Sequence, residues 1–120
     1  MRVLVTGAHG MLGHALGSSL PEGWQWLPTD VPDLDITDAA AVQARLDAES
    51  PDAVINAAAY TAVDACETDE EAALAVNGRG PGVLAQACAK RGLPLVHVST
   101  DYVFDGSIPA PGAYAENDPV

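Results

Sequence analysis

The stretch "RVLVTGAHGMLG", residues 2–13, decides the fold of this chain. A β-branched apolar run, Arg2 to Thr6, leads directly into glycines at positions 7, 10 and 13, and apolar residues then recur at positions 12, 15, 16 and 20. This pattern predicts a strand, a tight glycine turn and a helix, in that order. A helix that begins in such a turn presents free N–H groups, which favour a phosphate site.

Each glycine of the loop has its own expected role. Gly7 suits the tight turn, Gly10 lets a pyrophosphate approach the backbone because no Cβ intervenes, and Gly13 allows close packing of the helix. The spacing is GxxGxxG instead of the usual GxGxxG, so the motif carries weight mainly through its position after a strand.

The alternation of strand and helix continues along the chain. Further strands are predicted in "WQWLPTD", "DAVINAAA" and "LPLVHVST", and further helices in "TDAAAVQARLDAE" and from "TDEEAALAV" to "GVLAQACAKRG", with an interruption at Gly78–Gly82. Nearly continuous apolar strands that alternate with helices are typical of a parallel sheet covered on both faces. We therefore predict one α/β domain of Rossmann type with strand order 3-2-1-4-5.

The charge of the chain excludes one class of partner. Seventeen acidic residues against five basic ones give a net charge of −12, which leaves no basic stripe for a nucleic acid backbone. The acidic segment 64–73 is interpreted as a solvated helix start with a capping box at Thr68 and Glu71; an acidic binding tail is the less favoured alternative.

Composition predicts a soluble, cytoplasmic protein without metal. No apolar run approaches the length of a membrane span, and "MRVLVTG" does not resemble a signal peptide. The two cysteines, at positions 66 and 88, have neither disulfide-framework nor zinc-site spacing, and the histidines at 9, 14 and 97 do not form a helical metal pair.

Asp30, Ala57 to Ala59 and Thr100 should meet the glycine loop, because the carboxyl ends of parallel strands lie at one edge. Asp30 follows the second strand, where a carboxylate binds an adenosine ribose, although a plain loop aspartate fits too. Asp35 and Ile36 suit an adenine amino group and ring, or a simple turn cap. Small residues at Ala57, Ala58 and Ala59 leave a trough for a flat ligand, unless they only allow close packing, and Thr100 ends the fourth strand.

Five stretches together resemble a known family: "VTGAHGMLG", "DITD", "PDAVINAAAYTAVDACE", "VNGRGP" and "HVSTDYVFDG". They are similar to the extended short-chain dehydrogenases/reductases, specifically the dTDP-4-dehydrorhamnose reductase branch. The resemblance implies reduction of dTDP-4-dehydro-6-deoxy-L-mannose to dTDP-L-rhamnose with NADPH or NADH, and a dTDP-sugar as the partner molecule.

The resemblance also implies roles for individual residues. The pyrophosphate is expected to contact Gly10, Met11 and Leu12, and the adenosine to contact Asp30, Asp35 and Ile36. The rest of the cofactor would lie along Ala59, Tyr60 and Thr61, with Val98 beneath its nicotinamide end. Thr100 matches the catalytic hydroxyl that bonds to the reacting carbonyl, and Asp101 and Tyr102 would face the sugar.

The same resemblance implies a general acid that these residues do not contain. The family uses a tyrosine followed four residues later by a lysine, but Tyr60, Tyr102 and Tyr114 are followed at that spacing by Asp, Gly and Asp. We therefore expect residues 1–104 to form the NAD(P)-binding domain, residues 105–120 a loop tail before a missing catalytic and substrate region, and the chain alone to be inactive.

Two other interpretations stay open at this point. One is a non-catalytic dinucleotide-binding or regulatory module, since the family includes a regulatory relative that partners methionine adenosyltransferase. The other is a fragment of a nucleotide-sugar epimerase or dehydratase. The sequence also leaves a homodimer open.

Overall fold

The computed structural model describes all residues from 1 to 120 and contains a four-stranded sheet and five α-helices. The strands are β1 (Arg2–Thr6), β2 (Gln25–Thr29), β3 (Ala53–Asn56) and β4 (Leu95–His97), and the helices are α1 (Met11–Ser18), α2 (Ala39–Glu49), α3 (Val63–Cys66), α4 (Glu70–Leu74) and α5 (Gly80–Ala89). Every neighbouring pair of strands is parallel. The predicted α/β class and parallel sheet are confirmed. None of the helices is long and apolar enough to cross a bilayer.

One face of the sheet is the centre of the hydrophobic core. Leu4 is in register with Leu27 on one side and with Val54 on the other, and Val54 is in register with Leu95. This row packs against side chains of α2 and α5, namely Val42, Leu46, Leu84, Ala87 and Cys88. Alternation along the strands therefore directs every second residue toward these two helices.

The opposite face carries α1. Val3 is in register with Trp26, and a Cβ added to Gly17 of α1 would lie 3.2 Å from the Trp26 ring. On the same face, Val96 of β4 is 58% exposed. Helices therefore cover both faces, but α1 covers only the part over β1 and β2.

The predicted strand order 3-2-1-4-5 is wrong in detail. The observed order is β2-β1-β3-β4, so the third strand in sequence lies beside β1 and β2 forms an edge. A strand outside β2 would have to come from residues 30–38, but these form turns, and Leu34 and Ile36 are both buried in the core on the α2 and α5 side. Their backbone bonds are local, from Leu34 N–H to the Asp30 carbonyl at 2.9 Å and from Asp38 N–H to the Asp35 carbonyl at 3.1 Å, so this segment closes turns and forms no ladder with β2.

The interruption predicted at Gly78–Gly82 is present as a change of helix type. Residues Ala75–Arg79 form a π-helical segment between α4 and α5, so the chain stays helical but its backbone hydrogen bonds there span five residues instead of four. The predicted capping box is wrong: Asp69 caps α4 by accepting from Ala72 N–H at 3.2 Å, whereas the Thr68 hydroxyl donates to the Ala65 carbonyl.

Residues 105–120 contain turns and no helix or strand. The Phe104 and Tyr114 rings stack with centroids 4.4 Å apart, and the Tyr114 hydroxyl donates to Asp105 at 2.7 Å. The Ser107 N–H also donates to Asp105, and together these bonds lower the pKa of its carboxyl. The tail is therefore folded back on itself, while the domain division at residue 104 stays a prediction.

Candidate functional site

The glycine loop is fitted tightly against the turn that follows β3. Gly7 has a φ of 66°, which favours glycine. A Cβ on Gly7 would lie 2.6 Å from the carbonyl carbon of Ala57 and from the nitrogen of Ala58. Gly13 is equally confined, because its Cβ would lie 2.5 Å from the Ala8 carbonyl oxygen. These two glycines are therefore required by the protein's own packing.

Gly10 differs from both. Its backbone is extended, with φ −74° and ψ 171°, and an added Cβ would meet nothing closer than the Gly7 carbonyl oxygen at 3.3 Å. Gly10 is the N-cap of α1, but it supplies no side-chain cap, and the N–H groups of Met11 and Leu12 make no hydrogen bond within the chain. This helix start thus has unpaired donors beside an open glycine, the combination that suits an anionic oxygen.

Asn56 joins the glycine loop to Ala57–Ala59, the segment after β3 that we call the alanine turn. It is fully buried, and its Oδ1 accepts from the Thr6 hydroxyl at 2.5 Å and from Ala58 N–H at 3.1 Å. Its Nδ2 lies 3.0 Å from Nδ1 of His97 on β4. One amide therefore fixes the residue before Gly7, the alanine turn and the end of β4 with respect to each other.

Asn77 fixes the next part of the edge. From the π-helical segment it accepts from Tyr60 N–H at 2.7 Å and donates to the Tyr60 carbonyl at 3.0 Å. This pair of bonds holds the backbone between Ala59 and Thr61, both of which are exposed. The π-helical segment therefore carries the Asn77 side chain that orders this part of the predicted cofactor edge.

Asp30 lies at the end of β2, next to the glycine loop. Its two carboxylate oxygens accept from His9 N–H at 2.8 Å and from Val31 N–H at 2.9 Å. Both oxygens keep a further lone pair, so the carboxylate can still accept from a ribose hydroxyl. Its observed role is to hold the loop, and its ribose role stays a prediction.

Asp35 and Ile36 are placed differently from the adenine site expected of them. The Asp35 carboxylate accepts from the N–H and the hydroxyl of Thr37, at 2.8 and 2.7 Å, which is the turn cap of the simpler interpretation. Ile36 is 4% exposed, and a Cβ on Gly80 would lie 2.7 Å from its Cδ1. Its side chain is a core residue, so only its backbone remains for a ligand contact.

The predicted catalytic end lies beyond β4. Val98 N–H donates to the Asn56 carbonyl at 3.1 Å, and the Val98 side chain is 43% exposed. Thr100 is exposed; its hydroxyl donates to Asp101 at 3.2 Å and accepts from Tyr102 N–H at 3.3 Å, so it caps the short 3₁₀ turn Asp101–Val103. The hydroxyl is accessible, and the side chains of Asp101 and Tyr102 are exposed beside it.

The structure thus brings most of the predicted residues to one edge. The carboxyl ends of β2, β1, β3 and β4 follow each other there, carrying Asp30, the glycine loop, the alanine turn and Val98. Sequence reasoning missed Asn56 and Asn77, whose roles depend on partners far along the chain. The only signal for Asn77 was its place in "VNGRGP".

These features define a Rossmann-type α/β domain with a glycine loop at the carboxyl edge of a parallel sheet. The sequence matches the family described as "RmlD substrate binding domain" over residues 1–120, and the chain belongs to that family. The resemblance to the dTDP-4-dehydrorhamnose reductases is confirmed.

Individual relatives agree with this assignment. A dTDP-4-dehydrorhamnose reductase of Burkholderia thailandensis is 46% identical over 119 residues, which are 99% of this chain and 39% of that protein. The crystal structure of a dTDP-4-dehydrorhamnose reductase from Clostridium acetobutylicum has a TM-score of 0.89 at 43% identity, covering 99% of this chain and 43% of that one. A Bacillus anthracis dTDP-4-dehydrorhamnose reductase, solved in complex with NADP, has a TM-score of 0.85 at 41% identity, covering 90% of this chain and 39% of that one. The chain therefore spans about two fifths of the length of these relatives.

Proposed function

We propose that this chain binds NADPH or NADH along the carboxyl edge of its sheet and serves the reduction of dTDP-4-dehydro-6-deoxy-L-mannose to dTDP-L-rhamnose. The observation that carries the proposal is the open Gly10 next to the unpaired N–H groups of Met11 and Leu12. A Cβ at Gly10 would make one tight contact, 3.3 Å from the Gly7 carbonyl oxygen, and not the overlaps below 3 Å expected at Gly7 and Gly13, whereas a pyrophosphate on this helix start needs the space of the missing side chain. The relatives' names and the NADP complex of one of them supply the substrate and cofactor classes.

The residues present fit a dinucleotide. The α1 N-terminus would bind the pyrophosphate, Asp30 the adenosine ribose, and the backbone of Ala59, Tyr60 and Thr61 would line the path toward the nicotinamide. When bound, the cofactor supplies the hydride for the carbonyl carbon of the sugar. Asp35 and the Ile36 backbone remain proposed contacts for the adenine.

Thr100 is the proposed catalytic residue of this chain. Its hydroxyl would exchange its present acceptor, the Asp101 carboxylate, for the sugar carbonyl oxygen, and so stabilise the charge that grows there as the hydride arrives. Asp101 and Tyr102 would contact the sugar. The carbonyl oxygen must also receive a proton, and no tyrosine of these 120 residues has a lysine four positions later to tune it.

A titration and a turnover assay test the two parts of the proposal. Nicotinamide fluorescence should show binding of NADPH and NADH to the folded chain, and failure of both to bind would refute the cofactor assignment. With the keto-sugar present, NADPH absorbance should not decrease, because a positioned general acid contributes about 10² to 10⁴ in rate. Substantial turnover by these 120 residues would show that the acid has been wrongly assigned.

A further inference from the structure

The last residue of every strand is polar, and these four side chains form a row across the sheet. Thr6 is in register with Thr29 of β2 and with Asn56 of β3, and Asn56 is in register with His97 of β4. Thr29, Thr6 and Asn56 are buried, whereas His97 is exposed. We call these four residues the polar row. It lies immediately below the loops of the proposed cofactor edge, because each loop begins at the next residue.

The amide group of Asn56 has only one possible orientation. Its Oδ1 accepts from the Ala58 N–H at 3.1 Å, and a backbone N–H can only donate, so the oxygen must face Ala58. The Thr6 hydroxyl lies 2.5 Å from the same oxygen and donates to it. The Nδ2 group is therefore left for His97, and it can only donate.

The contact with Asn56 also decides which nitrogen of His97 carries the proton. Nδ1 of the ring lies 3.0 Å from Asn56 Nδ2, so Nδ1 must be the acceptor and holds no proton. The proton of the neutral ring is then on Nε2. In addition, the Val98 N–H donates to the Asn56 carbonyl at 3.1 Å. Asn56 thus holds two consecutive residues, one through its side chain and one through its backbone.

Few other contacts fix the end of β4. This strand has three residues, the fewest in the sheet, and it pairs with β3 alone. On the α1 side, Val96 and Val98 are 58% and 43% exposed, so little packing holds them. The His97 side chain is exposed as well, and hydrophobic burial does not explain its contact with a fully buried amide. The hydrogen bond from Asn56 is therefore a main restraint on the residues that lead to Thr100.

We propose that His97 is a positioning residue: by accepting from Asn56 it fixes the end of β4 relative to the glycine loop. The connection consists of two bonds, from Thr6, the residue before the loop, to Asn56 and from Asn56 to His97. The proposal rests on the proposed function, in which the end of β4 carries Val98 beneath the nicotinamide and Thr100 beside the sugar carbonyl. His97 itself would contact neither the cofactor nor the sugar.

Calorimetric titrations of two variants with NADH and with ADP-ribose test this role. ADP-ribose contains every part of NADH except the nicotinamide ring. In His97→Leu, Asn56 keeps its bonds to Thr6 and Ala58, so the loop is unchanged and ADP-ribose should bind as it does to the wild type. NADH should bind this variant about three- to tenfold more weakly, as expected for the loss of one hydrogen bond. His97→Asn should bind NADH as tightly as the wild type, because its Oδ1 takes the place of Nδ1 and accepts the same bond.

NMR spectra of the wild-type chain give a second test. At about pH 8.5, where an unperturbed imidazole is neutral, nitrogen–proton correlations of the ring should show the His97 proton on Nε2. A proton on Nδ1 would overturn the positioning role, even if no variant folds.

The titrations separate the two proposals. Equal weakening of NADH and ADP-ribose binding in His97→Leu would reveal a merely structural role and overturn the positioning role. Unchanged NADH binding, or a His97→Asn variant that binds NADH no better than His97→Leu, would overturn it as well, and the cofactor function stands in each of these cases. If the wild-type chain binds neither NADH nor ADP-ribose, the proposed function is overturned and the positioning role with it. If His97→Leu does not fold, His97→Gln takes its place, since its oxygen lies at the position of Nε2 and not of Nδ1.

Discussion

Gly10→Val and Gly13→Ala should separate ligand binding from folding within one loop. A Cβ on Gly13 would lie 2.5 Å from the Ala8 carbonyl oxygen and 2.6 Å from the Ala8 carbonyl carbon, both backbone atoms that cannot rotate away. Overpacking of this kind lowers the free energy of unfolding by roughly 1–3 kcal/mol or more. Gly13→Ala should therefore destabilise the chain clearly.

Gly10→Val should destabilise the chain less than Gly13→Ala does. Its Cβ would lie 3.3 Å from the Gly7 carbonyl oxygen, a tight contact that a small shift of the loop relieves, and its backbone is already extended, so the cost is this shift and the weaker N-cap preference of valine, about 1 kcal/mol, partly offset by lower entropy of the unfolded chain. The valine side chain would stand in front of the N–H groups of Met11 and Leu12. Cofactor binding should weaken more than about tenfold, or about 1.4 kcal/mol.

Urea unfolding followed by circular dichroism measures the first quantity, and nicotinamide fluorescence measures the second. Gly82→Ala is the control, because a Cβ on this residue of α5 meets nothing within 4 Å. It should bind cofactor normally and gain about 0.5–1 kcal/mol in stability. The reasoning fails if Gly10→Val binds NADH as wild type does, or if Gly13→Ala unfolds at the wild-type urea concentration.

Two further predictions concern ionisable groups. Burial raises the pKa of the Cys88 thiol, although the charge of Arg91 partly opposes this, and the residue is only 1% exposed. Iodoacetamide should therefore modify Cys88 at least about 100-fold more slowly than the half-buried Cys66 in the folded chain. Equal rates for the two thiols before unfolding would contradict this. Hydrogen bonds from the Ser107 N–H and the Tyr114 hydroxyl lower the pKa of Asp105, so the stability they add is present above about pH 4 and is lost as pH falls through the lowered pKa. Tyr114→Phe should raise the pKa of Asp105 in a carboxyl NMR titration. An unchanged titration would exclude a contribution from Tyr114.

Local patterns were sufficient for the elements and for much of the edge. Apolar runs and helical spacing placed all four strands and located the glycine loop directly after β1, because period and turn chemistry act within a few residues. The carboxyl ends of parallel strands have to share one edge, so the sequence alone predicts that Asp30, the alanine turn and Thr100 lie there. Each of these inferences needed only neighbours in sequence or a rule about parallel sheets.

Partners distant in sequence decided the rest. Residues 30–38 bury Leu34 and Ile36 in the core with α2 and α5, but their backbone closes local turns, so no strand forms outside β2 and β3 is paired directly with β1. The link from Asn56 to Thr6 and His97 spans 50 and 41 residues, and no local pattern shows that a buried amide will find those two partners. The sequence by itself determined the strands, the glycine loop and the family likeness through short-range chemistry, whereas the strand order and the amides that hold the site together came from long-range packing and hydrogen bonds, which exist only once the chain is folded.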